Sequence, residues 1–216
     1  MSVLTDNTSA WLAGLSVSLS LCLIAWSTGI FVGTILGIAG TRLRFLARMT
    51  RGVNGFLLSV PLIVLLFYAH YPLQALLAIT IPPFATGAAI LSVCNCFAVA
   101  EIVRSELMHV PVEHLWVARM SNLPPQVIAW RVMMPLVSRH VMGPLLVQQV
   151  AVLQASLLTS FIGVQELFRA ALRVNAVTLR PIPIFTALAI ILLVVCLPVL
   201  STGWYLARRA SARVQA

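Results

Sequence analysis

The sequence predicts an all-α, polytopic membrane protein with about five transmembrane helices. Hydrophobic residues make up 61% of the 216 residues, and only 9% are charged. The mean hydropathy of +1.02 lies far above that of an ordinary soluble domain. Since little polar sequence is left over for a soluble domain, we expect a single transmembrane domain over residues 1–216.

Five apolar runs define the expected spans, because about 20 such residues cross a bilayer as a helix. The first run is long enough to tilt or to extend beyond the bilayer. No basic residue precedes it, so a cleaved secretory signal is disfavoured and the first span should stay in the mature protein. The runs cover residues 11–39, 55–79, 84–103, 141–164 and 183–207.

The arginines predict the orientation, since all fourteen basic residues are Arg. With five spans, eleven of them fall on one side and only Arg169, Arg173 and Arg180 on the other. The positive-inside rule therefore places the N-terminus outside and the C-terminus in the cytoplasm. The net charge of +9 indicates orientation and contact with membrane lipid, and no nucleic-acid partner is expected because no soluble basic domain exists.

Two sets of residues could be mistaken for chemical sites. All four cysteines fall in apolar runs, where a free Cys packs as a small hydrophobe. Glu106 and His109 have Glu-x-x-His spacing, but Pro111 breaks the helix behind them and no second copy follows. We expect no metal site and no catalytic residue, so the chain is not predicted to be an enzyme.

Small residues recur at helical spacing along the first span. Such a stripe lets membrane helices approach closely, either within one bundle or between subunits, and the sequence leaves both open. The stripe consists of Gly29, Gly33, Gly37 and Gly40.

A polar, proline-broken stretch separates the third and fourth spans on the predicted cytoplasmic side. Asn122 can end a short helix, because Asn tolerates the left-handed conformation found at helix C-termini. Pro124 and Pro125 suit the start of a second helix. We expect a helix-turn-helix within about residues 106–139, whose apolar residues need a protein partner or burial against the spans.

Several motifs along nearly the whole chain resemble the permease subunits of type I ABC importers, in particular the five-span subgroup that imports polar amino acids such as histidine, glutamine and arginine. The matching residues are Ala100-Glu101-Ile102-Val103-Arg104, Val110-Pro111, Trp116-Val117-Ala118-Arg119, Asn122, Arg131-Val132-Met133-Met134-Pro135, Phe161-Ile162-Gly163-Val164, Glu166-Leu167-Phe168-Arg169-Ala170 and Arg180-Pro181.

The resemblance implies the type I ABC importer permease fold in a bacterial inner membrane. It implies three kinds of partner: a dimer of cytoplasmic ATP-binding subunits, a second permease subunit and an extracytoplasmic solute-binding protein. ATP and Mg would be bound by the partner ATPase, since this chain has no phosphate loop and no Lys to complete one. The residues expected to couple to the ATPase are Trp116, Val117, Ala118, Arg119, Asn122 and Pro135.

The chain departs from the subgroup at two places. Trp116 stands where the family carries a Glu that meets the ATPase, and Gln154-Ala155 stands where it carries Lys-Asp on the solute path. Asn122 replaces a Gly, which the turn should tolerate. These losses predict that the chain is the weaker half of a heterodimer; a homodimer with an apolar or neutral solute is the alternative.

The residues expected to line the solute path are polar side chains of the third and fourth spans. Hydrogen bonds between helices would explain the same side chains equally well. Two other functions also stay open, an ion-coupled secondary carrier and an intramembrane enzyme. The expected path residues are Asn95, Gln149, Gln154 and Ser156.

Overall fold

The computed structural model describes residues 8–108, Pro124 and residues 134–212, and every regular element in these ranges is a helix. The elements in chain order are α1 (Thr8–Arg42), α2 (Arg44–Ser59), α3 (Leu62–His70), α4 (Pro72–Leu77), α5 (Pro83–Met108), α6 (Met134–Ser156), a 3₁₀ helix (Leu157–Ile162), α7 (Leu167–Thr178) and α8 (Pro181–Ala212).

Four helical segments are long and apolar enough to cross a membrane, which confirms the predicted fold class. They match the first, third, fourth and fifth expected spans, and a bent pair of helices can supply a fifth. The four segments are Thr8–Arg42, Pro83–Met108, His140–Ile162 and Pro181–Tyr205.

The second expected span, residues 55–79, is not one straight helix. The segments Arg44–Ser59 and Leu62–Leu77 meet at an angle of 95°. Pro61 accounts for the break, because it has no N–H to donate and disfavours helical geometry in the residue before it. Val60 is accordingly extended, with φ −100° and ψ 127°. Only the part after Pro61 continues as an apolar segment, while α2 turns aside.

The tightest packing in the described chain joins α1 to α5 through the glycine stripe. A Cβ built on Gly33 would lie 2.6 Å from the Cys96 carbonyl oxygen, and one on Gly37 would lie 2.7 Å from that of Ala100. No real Cβ comes so close to a backbone atom, so only glycine allows this approach. The stripe therefore packs within its own bundle, one of the two alternatives that the sequence allowed.

Two apolar clusters lie along the earlier part of α1. One joins α1, α3, α5 and α6 and includes Leu21, Leu66 and Leu91, which are almost completely buried. The other joins the start of α1 to α7 and α8 around Trp11 and Leu167. The remaining surface of the long helices is mostly apolar and exposed, as lipid contact requires.

Candidate functional site

A polar centre lies at the junction of α1, α5 and α6. The Asn95 side-chain Nδ2 donates to the Ala25 carbonyl at 2.9 Å and to Gln149 Oε1 at 3.0 Å. Asn95 is 0% exposed and Gln149 4% exposed. A Cβ on Gly29 would lie 2.2 Å from Asn95 Nδ2, so glycine at that position makes room for the amide.

Further hydrogen bonds complete this centre. Gln149 Nε2 donates to the Leu145 carbonyl at 3.2 Å, and the Trp26 indole donates to the Gln149 carbonyl at 3.0 Å. Gln148 Nε2 lies 3.4 Å from Asn95 Oδ1. The side chains of Asn95 and Gln149 are thus bonded inside the subunit and turned away from its surface. Their role in a solute path stays a prediction, and their hydrogen bonds tie three helices together.

Ser156 is also buried, and it marks a change of helix type. Its hydroxyl donates to the Leu153 carbonyl at 2.7 Å, and the Thr159 hydroxyl donates to the Ser156 carbonyl at the same distance. The 3₁₀ helix begins at the next residue, ends at Ile162 and is followed by Gly163, whose φ of +97° suits glycine. Ser156 therefore lies where α6 tightens, and its side chain also makes a hydrogen bond with the buried Cys22 thiol of α1.

Gln154 differs from the other three expected path residues, because it is exposed at membrane depth. Its carboxamide has no hydrogen-bond partner within the described part of the chain. Pro144, Val147 and Ala151 are exposed on the same face of α6 at spacings of three or four residues, and all three are apolar. An amide left unpaired in hydrocarbon costs several kcal/mol. Direct lipid contact at the Gln154 position would therefore be unfavourable, and its place in a solute path stays a prediction.

A buried carboxyl group lies at the end of the bundle that is predicted to face outward. Glu166 is 0% exposed and caps α7, accepting hydrogen bonds from the backbone N–H groups of Phe168 and Arg169, both at 2.8 Å. Ser18 of α1 lies 3.4 Å from Glu166 Oε2 and accepts from the Leu167 N–H at 3.1 Å. Burial raises the pKa of Glu166 to about 7, although these three hydrogen bonds act in the opposite direction.

Charged residues are concentrated at the predicted cytoplasmic end. Arg104 is 7% exposed at its side chain and forms a two-pronged contact with Glu101, with Nε 3.1 Å from Oε2. Arg51 of α2 adds a looser contact, with its Nε 3.7 Å from Glu101 Oε1. One carboxylate thus ties α2 to the end of α5.

Comparison with known proteins places this bundle in a family. Residues 29–212 match the family described as "Binding-protein-dependent transport system inner membrane component". The chain belongs to that family. The resemblance found in the sequence motifs is therefore confirmed, and the chain is a transmembrane permease subunit of an ABC importer.

Solved structures of permeases share the fold over nearly their whole length. A chain from "Crystal structure of an amino acid ABC transporter with histidines" aligns with a TM-score of 0.83 at 22% identity, covering 95% of this chain and 96% of that chain. A chain from an inward-facing form of the MetNI methionine ABC transporter aligns with a TM-score of 0.74 at 15% identity, covering 94% and 97%. No curated protein matches significantly.

The residues expected to couple this permease to an ATPase fall almost entirely outside the described ranges. Trp116, Val117, Ala118, Arg119 and Asn122 all lie there. Pro135 is the second residue of α6, where a missing N–H costs nothing. The helix-turn-helix and its role in coupling stay predictions.

Sequence reasoning missed two long-range contacts of the permease. The Ser18–Glu166 and Trp26–Gln149 pairs join residues more than 120 positions apart. Local sequence patterns do not predict contacts between residues so far apart in the chain. A partial signal for the first does exist, because an acidic residue immediately before an amphipathic run is typical of a helix N-cap.

A further polar cluster joins α3, α4 and α5 at their predicted outer ends. Gln74 Nε2 lies 3.0 Å from His70 Nδ1 and donates to the Thr86 hydroxyl at 3.1 Å. Gln74 Oε1 accepts from the Ile81 N–H at 2.8 Å. One glutamine thus closes the connection between α4 and α5.

Proposed function

We propose that this permease forms one half of the translocation path of an ABC importer in the bacterial inner membrane. The complex would move a polar amino acid or a related small solute, and a separate subunit would hydrolyse ATP. The observation that carries the proposal is Gln154, an unpaired amide on an otherwise apolar exposed face of α6. In an assembled importer, a second permease subunit and the path between the two subunits would keep this amide out of lipid.

The mechanism that follows is alternating access. ATP and Mg bind to two ATPase subunits, which close and draw the cytoplasmic helix-turn-helix segments of the two permeases together. That movement turns the path outward, where a solute-binding protein delivers the solute. The contribution of this chain is mechanical: the glycine-packed α1–α5 pair and the Asn95–Gln149 hydrogen bonds make the bundle a firm body that can transmit the movement.

Two observations bear on the proposed solute: the transporters to which the chain is similar, and Gln154. The similar structures are described as amino acid and methionine transporters, yet at 22% and 15% identity they share only a fold. Gln154 offers hydrogen bonds to a solute but no charge. The charges that a zwitterion needs would come from a partner, since a buried unpaired charge is costly.

The second permease is therefore proposed to be a different chain. Two identical copies would lack both the coupling Glu, replaced by Trp116, and the path's Lys-Asp, replaced by Gln154-Ala155. A partner that keeps these residues would supply one complete set and would place the solute closer to its own side.

Reconstitution tests this assembly. We expect this permease, its ATPase and its solute-binding protein alone to give no solute-stimulated ATP hydrolysis, and addition of the partner permease to restore it. Strong stimulation by the homomeric assembly would contradict the heterodimer. Failure of any ATPase to co-purify would contradict ATP-driven import and favour an ion-coupled carrier.

Cross-linking tests the coupling segment separately. In a cysteine-free chain, Arg119→Cys and Asn122→Cys are expected to cross-link to cysteines in the ATPase cleft. An active complex in which neither position cross-links would contradict the proposed site.

Labelling of intact cells tests the orientation. In the same cysteine-free chain, Asn175→Cys is expected to react with a membrane-impermeant thiol reagent added outside, whereas Leu46→Cys should react only after the membrane is opened. Labelling of position 46 from outside would reverse the predicted topology.

A further inference from the structure

The side chains of α2 divide its surface into three faces. Leu46, Thr50 and Leu57 lie on the first and are buried or half-buried against the bundle. Phe45, Met49 and Phe56 lie on the second, and their exposures are 75%, 42% and 62%. The third is basic and carries Arg44, Arg48 and Arg51, all exposed. Within the described chain the first face packs against the bundle, and the third has one ion-pair contact, from Arg51 to Glu101.

The position of α2 suits the surface of a membrane. A single residue, Leu43, separates it from the end of α1, so it directly follows the helix that contains the first span. At its other end the chain turns by 95° into the apolar segment Leu62–Leu77. If that segment enters the bilayer, α2 runs nearly along its surface. A helix with an apolar face beside a basic face is typical of the membrane interface.

The basic face has too few carboxylates around it. Glu101 is the acidic group that contacts α2 within the described ranges; it bonds Arg104 closely and Arg51 only at 3.7 Å. Arg44 and Arg48 make no ion pair with any described residue. Arg42 adds a further exposed cation at the end of α1. Guanidinium groups bind phosphate with two parallel hydrogen bonds, so phosphate is the group that this face fits best.

We propose that α2 is a binding site for the headgroups of anionic phospholipids in the cytoplasmic leaflet. Arg44 and Arg48 hold the phosphate groups, and Phe45, Met49 and Phe56 lie among the upper parts of the acyl chains. The combination favours lipid over a soluble protein, because the exposed aromatic face adjoins the basic face along the helix. The site rests on the predicted cytoplasmic position of α2, and it does not depend on the solute or on a heterodimer.

Native mass spectrometry of the purified importer complex tests the site. The complex is mixed in mild detergent with dioleoylphosphatidylglycerol or dioleoylphosphatidylcholine, and retained lipid is counted. The test variant is Arg44→Gln with Arg48→Gln. The matched control is Arg173→Gln with Arg180→Gln, which removes the same charge from exposed positions at the other end of the molecule.

We expect the wild-type complex to retain phosphatidylglycerol in preference to phosphatidylcholine. Since each basic residue near an anionic surface contributes roughly fivefold in affinity, the test variant should bind phosphatidylglycerol about 25-fold more weakly. The control should bind it like the wild type. Equal retention by both variants would overturn the proposal, as would a test variant that loses the ATPase subunit while keeping its phosphatidylglycerol.

A second measurement does not depend on a folded variant. Phosphatidylglycerol retention by the wild-type complex should fall as salt rises, because exposed charges are screened beyond about 8 Å at physiological ionic strength. Retention that does not change with salt would show that the lipid is held by apolar contact alone and would overturn the assignment to the arginines.

Discussion

Two glutamines five residues apart on α6 have opposite surroundings. Gln149 is 4% exposed and bonds Asn95 of α5 and the Leu145 carbonyl, while Gln154 is exposed and has no partner within the described chain. Both are amides in an apolar span. The difference shows that the same residue type joins helices on the inner face of α6 and, within the described chain, is left without a partner on its outer face.

The largest loss of stability is expected from a substitution that crowds the contact between α1 and α5. Gly33→Ala would place a methyl group 2.6 Å from the Cys96 carbonyl oxygen, and backbone cannot move aside cheaply. Overpacking of this kind costs about 1–3 kcal/mol. Denaturant unfolding in detergent would measure the loss.

Gly52→Ala is the matched control, since nothing lies within 4 Å of a Cβ at that position in α2. It should leave stability unchanged or raise it by up to about 1 kcal/mol, because alanine favours helix over glycine. Equal losses for the two variants would show that the α1–α5 contact is not tight.

Glu166 is buried and hydrogen-bonded like Gln149, but it can ionise, so its effect on stability should depend on pH. Burial raises its pKa from 4.5 to about 7, so the folded state favours the protonated form. Stability linked to this group is complete below pH 4.5 and is lost as pH rises to about 7. Between pH 5 and 7 the loss should be on the order of 2 kcal/mol.

Thermal unfolding of the wild type and of Glu166→Gln at several pH values would test this. The variant keeps an acceptor for the α7 cap but cannot ionise, so the wild-type loss between pH 5 and 7 should shrink in it. An identical pH profile for both proteins would show that another group is responsible.

The two glutamines can be compared directly by the same substitution. Gln149→Leu removes the acceptor for Asn95 and should cost about 1 kcal/mol, since hydrogen bonds between membrane helices average roughly 0.6 kcal/mol. Gln154→Leu removes an unpaired amide and should not destabilise the isolated subunit. Unfolding free energies in detergent would measure both effects. A larger loss for Gln154→Leu than for Gln149→Leu would contradict the assignment of Gln149 as the bonded glutamine and Gln154 as the unpaired one.

The sequence predicted four of the spans well, because long apolar runs have few alternatives in a membrane. It also identified the glycine stripe, but spacing alone cannot tell whether such a stripe faces its own bundle or another subunit. The bend at Pro61 was missed because hydropathy averages over the proline, and α2 was missed because its arginines lower the hydropathy of the segment.

The site was harder to predict than the fold. Asn95, Gln149, Gln154 and Ser156 were singled out together, since polar residues in apolar spans look alike in a sequence. Only three-dimensional packing separates the three that are buried from Gln154. The coupling residues from Trp116 to Asn122 lie outside the described ranges and stay predictions.

The central claim is that the face of α6 around Gln154 meets a water-filled path in the assembled importer. The most direct measurement is the reaction of Gln154→Cys, in an otherwise cysteine-free chain, with a small water-soluble thiol reagent. Only the thiolate reacts, so a cysteine in lipid is protected. Phe31→Cys, on the exposed apolar side of α1, is the control.

We predict that position 154 reacts rapidly in the complete complex and more slowly when transported solute is present, whereas position 31 stays unreactive. If position 154 were as unreactive as position 31 with and without solute, this face of α6 would not meet water, and the proposed path would be contradicted.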